Sequence, residues 1–472
     1  MRKVVEKTGS LAFMLVLGLL LSGIVRAEVP GATVTGPVAS EEPGHPSRNF
    51  PFSASAIELQ DNGYIEEEYF IAGTANRYLS QEMQNGEVVD SGHRYRTRLI
   101  VRRPANASDF NGVVVVEWIN VTGGTDKDID WWQSGSHFVR NGYAFVAVSA
   151  QQVGIDTMKQ WNPTRYASLD TTHDGMVEND DLSYDIFSAV GRAIPRQGEG
   201  YNEGDAQFMG ALRARMILAT GHSQSASRLA NYLNSIHPLD PVYDGMMVHG
   251  GGGHIRDDQP VKIFKIMAEG DMRFRAAQRQ PDSDNFRQWE VAGTSHVDIP
   301  FEVEWSKVRL LSEGQALDQA APRDPGCELP AHSRVPFRDA MNAAFEHLVV
   351  WVDNDTPPPV APPLKVRRII PSVEFDRDEF GNALGGIQLA EHAVATALNA
   401  GTNTGNNRFC VLYGHHAPFS ESQLRALYPD HDSYVRRVEE VVNANLESGF
   451  ILPYAAERTL REARMSDIGN WD

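Results

Sequence analysis

The sequence has few cysteines, no excess of basic residues and few long apolar segments. The last two of these shortages each exclude a class of protein. It has 43 lysines and arginines against 62 aspartates and glutamates, which gives a formal net charge of −19. Because nucleic-acid affinity depends largely on neutralising phosphates, this charge balance argues against a general polyanion binder. Apart from Leu11–Val25, no segment is apolar enough to be considered as a membrane span.

Motifs for metals and nucleotide cofactors are missing as well. The sequence has no His-Glu-x-x-His, no Cys-x-x-Cys, no Gly-x-Gly-x-x-Gly after a strand and no phosphate-binding loop. The pair His415-His416 and the pair His249 and His254 lack a convincing third ligand. We therefore expect no metal and no cofactor.

The N-terminus has the pattern of an export signal. Arg2, Lys3 and Lys7 form a basic head, the apolar run Leu11–Val25 follows, and Val25-Arg26-Ala27 is a small-x-small cleavage site. The alternative is an uncleaved membrane anchor, but the run is short for a spanning helix. We expect residues 1–27 to be a signal peptide, the mature protein to be periplasmic or extracellular, and no stable membrane insertion after cleavage.

The chain has two cysteines, Cys327 and Cys410. In an exported protein a pair of cysteines is commonly oxidised, so we expect one disulfide. Two buried free thiols are the alternative.

Strand and helix patterns alternate through the middle of the chain. Short alternating runs between Phe52 and Val101 predict antiparallel strands, whereas "NGVVVVEW" and "YAFVAVSA" are nearly continuous apolar strands, typical of a sheet covered on both faces. Repeated βα units up to about residue 305 predict an α/β fold with a mostly parallel sheet and helices on both faces. The polar residues 151–180 read as an irregular loop or small cap.

These patterns give a domain outline. We expect an extended lead-in over residues 28–50 and a main domain over residues 50–352, which ends in an amphipathic helix, Phe337–Val352. A mostly helical extension over residues 353–472 is expected to pack on the main domain and to shape its pocket.

The stretch "GHSQS", Gly221–Ser225, lies between an apolar strand and a helix. This is the context of the Gly-x-Ser-x-Gly nucleophile elbow, which lifts a serine hydroxyl above the sheet near a helix N-terminus. Ser225 occupies the place of the second glycine, and it is small enough to substitute. Ser223 is therefore a candidate nucleophile; the alternative is a serine that only caps its helix.

A serine nucleophile needs an imidazole base and a carboxylate that orients it, in the order serine, acid, histidine in this type of fold. The strand "VKIFKIMAEGD" supplies Asp271, with Glu269 as the alternative acid, and the loop after the next strand supplies His296. Both follow Ser223 in the required order.

The oxyanion hole requires two backbone N–H donors. We expect one from Gln224 and the other from Asn120 or its neighbour Val121, in the loop after "VVVVEW". The segment "HGGGGH" resembles an oxyanion loop, but it follows the serine in the chain. We expect it to line the site without donating.

With these motifs in place, the chain resembles the α/β-hydrolase superfamily, and more narrowly a family of exported bacterial alpha/beta hydrolase domain proteins of largely undefined substrate. The matching stretches include "VVVVEWINVTGG", "TGHSQSA", "RQWEVAGTSHVD" and "ALYPDHDSYV", so the similarity runs from about residue 50 to the C-terminus. The missing second elbow glycine is the main departure. The resemblance implies an esterase-type activity carried by Ser223, His296 and an acid at Asp271 or Glu269.

The sequence therefore predicts a secreted serine esterase that cleaves small-molecule or polymer carboxylic esters through an acyl-enzyme. A lactonase, an amidase or a polyester depolymerase would use the same triad. A non-catalytic binding protein on the same scaffold is the alternative from another class, and it would be expected to lack a member of the triad.

Overall fold

The computed structural model describes residues 28–199 and 207–471. The predicted signal peptide lies outside these residues. Within the described ranges, no helix combines the length and apolar character needed to cross a membrane.

One large sheet organises the described chain. It contains nine strands in the order β1-β2-β3-β5-β4-β6-β7-β8-β9. The strands are β1 (Ala32–Thr35), β2 (Tyr64–Gln81), β3 (Gln84–Pro104), β4 (Val113–Trp118), β5 (Ala144–Val148), β6 (Met216–His222), β7 (Gly245–His249), β8 (Lys262–Ala268) and β9 (Phe286–Val291). The pairs from β1 to β5 are antiparallel, and those from β5 to β9 are parallel. The predicted fold class is confirmed.

Helices cover both faces of this sheet, and four short strands follow it in the C-terminal region. The helices are α1 (Ile129–Arg140), α2 (Gln152–Trp161), α3 (Pro163–Tyr166), α4 (Ser183–Ala193), α5 (Gln224–Asn231), α6 (Glu269–Arg275), α7 (Ile299–Ser312), α8 (Phe337–Asn354), α9 (Ala390–Ala393), α10 (Cys410–Tyr413), α11 (Glu421–Leu427), α12 (His431–Glu447) and α13 (Pro453–Met465). The short strands are β10 (Val366–Arg368), β11 (Glu374–Phe375), β12 (Ala397–Ala400) and β13 (His415–Pro418).

Strand β4 shows why its sequence is almost entirely apolar. Successive side chains of a strand point to opposite faces. Val113 and Val115 join the apolar cluster on one face, with Phe138 and Leu348. Val114, Val116 and Trp118 join the cluster on the other face, with Phe187 and Leu229. Every residue of β4 is buried, so polar residues do not alternate with apolar ones. The one charged residue of the strand, Glu117, accepts hydrogen bonds from the backbone N–H groups of Asp130 and Trp131 at 3.1 and 3.3 Å.

The C-terminal region packs directly on the sheet. Tyr428, Val442 and Ile451 belong to the same apolar cluster as Leu348 of α8. Ile387 extends the edge of the sheet, because its N–H donates to Glu290 O at 2.7 Å and its carbonyl accepts from Ala292 N at 2.9 Å. The segment therefore shares its core with the main sheet.

Residues 151–180 are more ordered than their polar sequence indicates. They contain α2 and α3, so of the two expected alternatives, an irregular loop or a small cap, the irregular loop was wrong. Ile155 and Met158 of α2 pack with Phe70 and Tyr166 in a small separate core. Only Gly154, Ile155 and Met158 of α2 are buried, so few apolar side chains mark this helix in the sequence.

Cys327 and Cys410 form a disulfide between the segment after α7 and the start of α10, with Cα atoms 5.6 Å apart. The two residues are 83 positions apart in the chain. The bond therefore closes a long loop and fixes two distant segments against each other.

We expect replacement of both cysteines by serine to lower the melting temperature. In the chain-entropy model the lost constraint on the unfolded chain is worth roughly 4 kcal/mol. Calorimetry with and without dithiothreitol provides the control, because the reductant should lower the melting temperature of the wild type and leave the double variant unchanged. An unchanged melting temperature in the double variant would contradict the expectation.

Candidate active site

Ser223 lies in a sharp turn between β6 and α5. Its backbone has φ 60° and ψ −111°, in the positive-φ region that residues other than glycine rarely adopt. The turn is held from a neighbouring strand, because Ser223 N–H donates to the His249 carbonyl at 2.9 Å. The hydroxyl is half-buried and faces a pocket.

Ser225 is a structural part of this turn. Its buried Oγ accepts from His222 N at 3.1 Å and donates to His222 O at 2.9 Å. Ser225 itself is in helix α5 and needs no positive φ. At Gly221, by contrast, a side chain would push against the helix. An added Cβ would lie 3.2 Å from the Ser225 carbonyl carbon, so the backbone there would have to shift. Ser225 can therefore replace the second glycine of the motif, because its side chain makes two hydrogen bonds within the turn.

His296 connects Ser223 to an aspartate. Its Nε2 lies 2.8 Å from Ser223 Oγ, and its Nδ1 lies 2.5 Å from Asp271 Oδ1. The imidazole is carried by the loop between β9 and α7, and Asp271 lies in the first turn of α6. The other oxygen of Asp271 accepts from Ala268 N at 2.7 Å, which fixes the carboxylate.

Glu269, the alternative acid, has other partners. Its Oε1 pairs with Arg377 at 2.8 Å and its Oε2 accepts from Gly293 N at 2.8 Å. The side chain is fully buried and holds the loop that leads to His296. The structure therefore brings Asp271, and not Glu269, to the imidazole.

The backbone N–H groups expected to form the oxyanion hole differ in whether another group already accepts a hydrogen bond from them. Gln224 is the first residue of α5, where a backbone N–H has no partner within the helix. The N–H of Asn120 already donates to the Lys127 carbonyl at 3.0 Å, which argues against Asn120 as the second donor. For Val121 N–H the described residues provide no acceptor, so Val121 is the better candidate. The Asn120 side chain instead supports the elbow, donating to His222 O at 2.8 Å.

The glycine-rich segment after β7 packs beneath the elbow. An added Cβ on Gly251 would lie 2.4 Å from Ser223 O, and one on Gly250 would lie 3.1 Å from the His222 ring. These glycines are therefore needed for close approach. The segment therefore borders Ser223 and His222 from the side away from the pocket, whose wall it does not form.

Sequence reasoning did not single out His222. Its ring lies between those of His249 and His296, with centroids 4.3 and 4.4 Å away. Burial, followed by the neighbouring imidazoles, holds its pKa well below 6.5, so the ring is neutral. His249 Nδ1 in turn lies 2.7 Å from Asp130 Oδ1. The sequence signal for His222 was its place directly before the serine of the elbow motif. Its ring contacts come from residues after other strands, and the local sequence does not reveal them.

A pocket of about 370 Å³ opens beside Ser223 and His296. One part of its wall comes from aromatic and apolar side chains, Val297, Phe301, Trp305, Phe409, Leu412 and Tyr413. Its charged members, also missed from the sequence, are Lys127, Glu302 and Arg323. Arg323 and the 407–413 stretch flank the two cysteines of the disulfide, which therefore holds this wall together.

Candidate metal ligands do not converge. Among the described residues there is no group of three His, Cys, Asp or Glu side chains that could hold a metal ion. His415 and His416 are instead directed to Thr402 O at 2.8 Å and Asn399 Oδ1 at 2.9 Å.

The sequence matches a family described as "Alpha/beta hydrolase domain" over residues 34–461. The chain belongs to this family. The match covers the C-terminal region as well as the main sheet, so both regions are part of the sequence that the family shares. A comparison with curated proteins gives no significant match.

Solved structures similar to this hydrolase-family chain share little sequence with it. An alpha-beta serine hydrolase homologue from Coxiella burnetii has 11% identity and a TM-score of 0.28, over 47% of this chain and 93% of that one. A serine hydrolase without lid from Xanthomonas campestris has 13% identity and a TM-score of 0.27, over 53% and 97%. A glucuronoyl esterase from Teredinibacter turnerae has 10% identity and a TM-score of 0.27, over 62% and 80%. Scores this low carry no argument about the site.

We expect Asp271→Asn and Glu269→Gln to separate the two acids. An amide at Asp271 cannot stabilise an imidazolium and favours the wrong tautomer, so kcat for ester hydrolysis should fall by about 10⁴-fold. Glu269→Gln removes a buried ion pair, so it should lower the melting temperature and change kcat of the folded enzyme by less than about threefold. Steady-state kinetics and thermal unfolding measure both. A loss of kcat confined to Glu269→Gln would reverse the assignment.

Proposed function

We propose that this protein is an exported serine esterase that hydrolyses carboxylic esters through an acyl-enzyme. The observation that supports it best is the continuous contact from Asp271 through His296 to Ser223 Oγ, at 2.5 and 2.8 Å, in a strand-to-helix elbow of an alpha/beta hydrolase family member.

In the first step Ser223 Oγ attacks the ester carbonyl carbon while His296 Nε2 takes the hydroxyl proton. A hydroxyl at its ordinary pKa is a poor nucleophile, so this proton transfer is essential. Asp271 keeps the Nδ1 proton of His296 in place and stabilises the imidazolium. The N–H groups of Gln224 and Val121 stabilise the negative oxygen of the tetrahedral intermediate.

In the second half the imidazolium returns its proton to the departing alcohol, which leaves an acyl group on Ser223. Water then attacks the acyl carbon, with His296 again taking the proton. Collapse of the second tetrahedral intermediate breaks the bond to Oγ, which takes the proton back from His296, and releases the acid. The neutral His222 ring beside His296 adds no competing positive charge during these steps.

Export is proposed from the N-terminal pattern together with the Cys327–Cys410 disulfide. Disulfides persist mainly in oxidising compartments. Sequencing the N-terminus of the protein recovered from periplasm or medium tests this part, and a mature chain beginning at Glu28 is the expected result.

We expect the mature protein to hydrolyse p-nitrophenyl esters of short and medium acyl chains, and Ser223→Ala to lower kcat on the order of 10⁶-fold, to the background rate. Ser108→Ala is the control, because this exposed hydroxyl contacts only Asp109 at 3.2 Å. A fluorophosphonate probe should add its mass to the peptide that contains Ser223. Equal activity in Ser223→Ala and wild type, or labelling at another residue, would overturn the serine mechanism.

A further inference from the structure

The pocket beside Ser223 holds a positive charge that has no ionic partner. Arg323 and Glu302 neutralise each other through two hydrogen bonds, Nε to Oε2 at 3.0 Å and Nη2 to Oε1 at 3.1 Å. Lys127, the other charged residue of the wall, forms no ion pair with any described residue. In a chain of net charge −19, this excess positive charge lies directly at the candidate active site.

The Lys127 ammonium lies between the oxyanion turn and the aromatic wall. It donates to the Thr122 carbonyl in the turn that carries Val121. On its other side it lies over the Trp305 ring, 5.5 Å from the centroid. An ammonium has three donors, and the structure uses one of them. The remaining donors are available to a group bound in the pocket.

Lys127 is half-buried. Partial burial makes an unpaired ammonium less favourable, and an anion in the pocket would offset that cost. Burial is also the main cause that lowers the pKa of Lys127, to about 8. Arg323 lowers this pKa further, whereas Glu302 and Asp126 raise it. Lys127 is therefore held in a setting that favours a negatively charged partner.

We propose that the esters cleaved here carry a carboxylate close to the scissile bond, bound by Lys127 with the uncharged body of the substrate against Trp305. This substrate class rests on the proposed function, since it assumes that the ester lies at Ser223. The carboxylate can belong to the acyl part or to the alcohol part, and matched substrate pairs distinguish the two.

A purely structural role for Lys127 makes a different prediction. Its backbone is paired with Asn120, N–H to carbonyl, at 3.0 and 2.9 Å, and these bonds do not depend on the side chain. If the ammonium only supported the oxyanion turn, its removal would slow charged and neutral esters equally.

The test compares Lys127→Met with wild type on two substrate pairs. The alcohol-side pair is 4-acetoxybenzoate and neutral 4-acetoxyacetophenone, and the acyl-side pair is mono-4-nitrophenyl adipate and 4-nitrophenyl hexanoate. For the charged member of one pair, kcat/KM should fall by about 10- to 100-fold, chiefly through KM, as for loss of a hydrogen bond to a charged group. The neutral member should change by less than about threefold, because it makes no such bond.

Two further variants make the comparison specific. Lys127→Arg keeps the positive charge and should retain the preference for the charged ester. Lys307→Met removes a lysine from α7, the helix that carries Trp305, but this lysine pairs with Glu304 at 2.8 Å and is outside the pocket. It should leave both pairs unchanged.

The pH profile gives a second readout. Lys127 is charged below its pKa of about 8 and neutral above it. The ratio of kcat/KM for charged over neutral ester reports the free enzyme, so it should fall as pH rises through about 8. In Lys127→Arg the ratio should stay level, because arginine remains charged. A level ratio in the wild type would contradict the proposal.

Equilibrium binding separates failure of this inference from failure of the esterase function. Calorimetry with Ser223→Ala measures the affinity of each ester without turnover, and the charged member of one pair should bind more tightly. Equal affinities within both pairs, or equal losses of charged and neutral activity in Lys127→Met, would overturn the substrate class. Hydrolysis of neutral esters that depends on Ser223 would leave the esterase function intact in either case.

Discussion

The backbone conformation of Ser223 is the constraint on which the rest of the site depends. A residue other than glycine held in a sparsely populated region costs about 1–3 kcal/mol and persists only when its surroundings fix it. Here the neighbouring strands supply those surroundings. The Asn120 side chain, two residues after β4, donates to the His222 carbonyl, and the carbonyl of His249, the last residue of β7, accepts from Ser223 N–H. The order β4-β6-β7 in the sheet is therefore what makes the elbow possible.

The remaining members of the site come from the same edge of the sheet. Asp271 follows β8 and His296 follows β9, so parallel strands bring residues that are far apart in sequence to one end of the fold. Burial then affects the charge of two residues beside the site, His222 and Lys127, because it lowers the pKa of each. The neutral His222 packs against the His296 ring, while the unpaired Lys127 keeps its charge near the oxyanion turn. One end of the sheet thus combines a candidate nucleophile, a candidate proton carrier and a candidate anion-binding group.

Much of this arrangement was predictable from the sequence. Nearly continuous apolar runs predicted strands β4 and β5, because a strand buried on both faces has no polar alternation. The repeated alternation of strand and helix patterns predicted strands β6 to β9. The order of Ser223, Asp271 and His296 followed from chain position alone. The choice between Asp271 and Glu269 did not, because both lie in the first turn of α6 and only their directions differ. Asn120 and Val121 likewise differ by one hydrogen bond, to Lys127, which no local pattern reveals. Helix α2 was missed since its small core needs only a few apolar residues.

The disulfide-linked wall of the pocket comes from a late part of the chain, so the pocket is completed only after that part has been synthesised. Ser223 and His296 are synthesised well before Phe409 and Tyr413, and the bond that fixes this wall requires Cys410. A chain that has reached only His296 lacks both the far side of the pocket and the later apolar residues, such as Leu348 and Tyr428, that complete the core on one face of the sheet. An enclosed site, and any selectivity that the enclosure gives, belongs only to a chain extended at least to Tyr413. The core of the sheet and the enclosure of the pocket are therefore completed by the same late part of the chain.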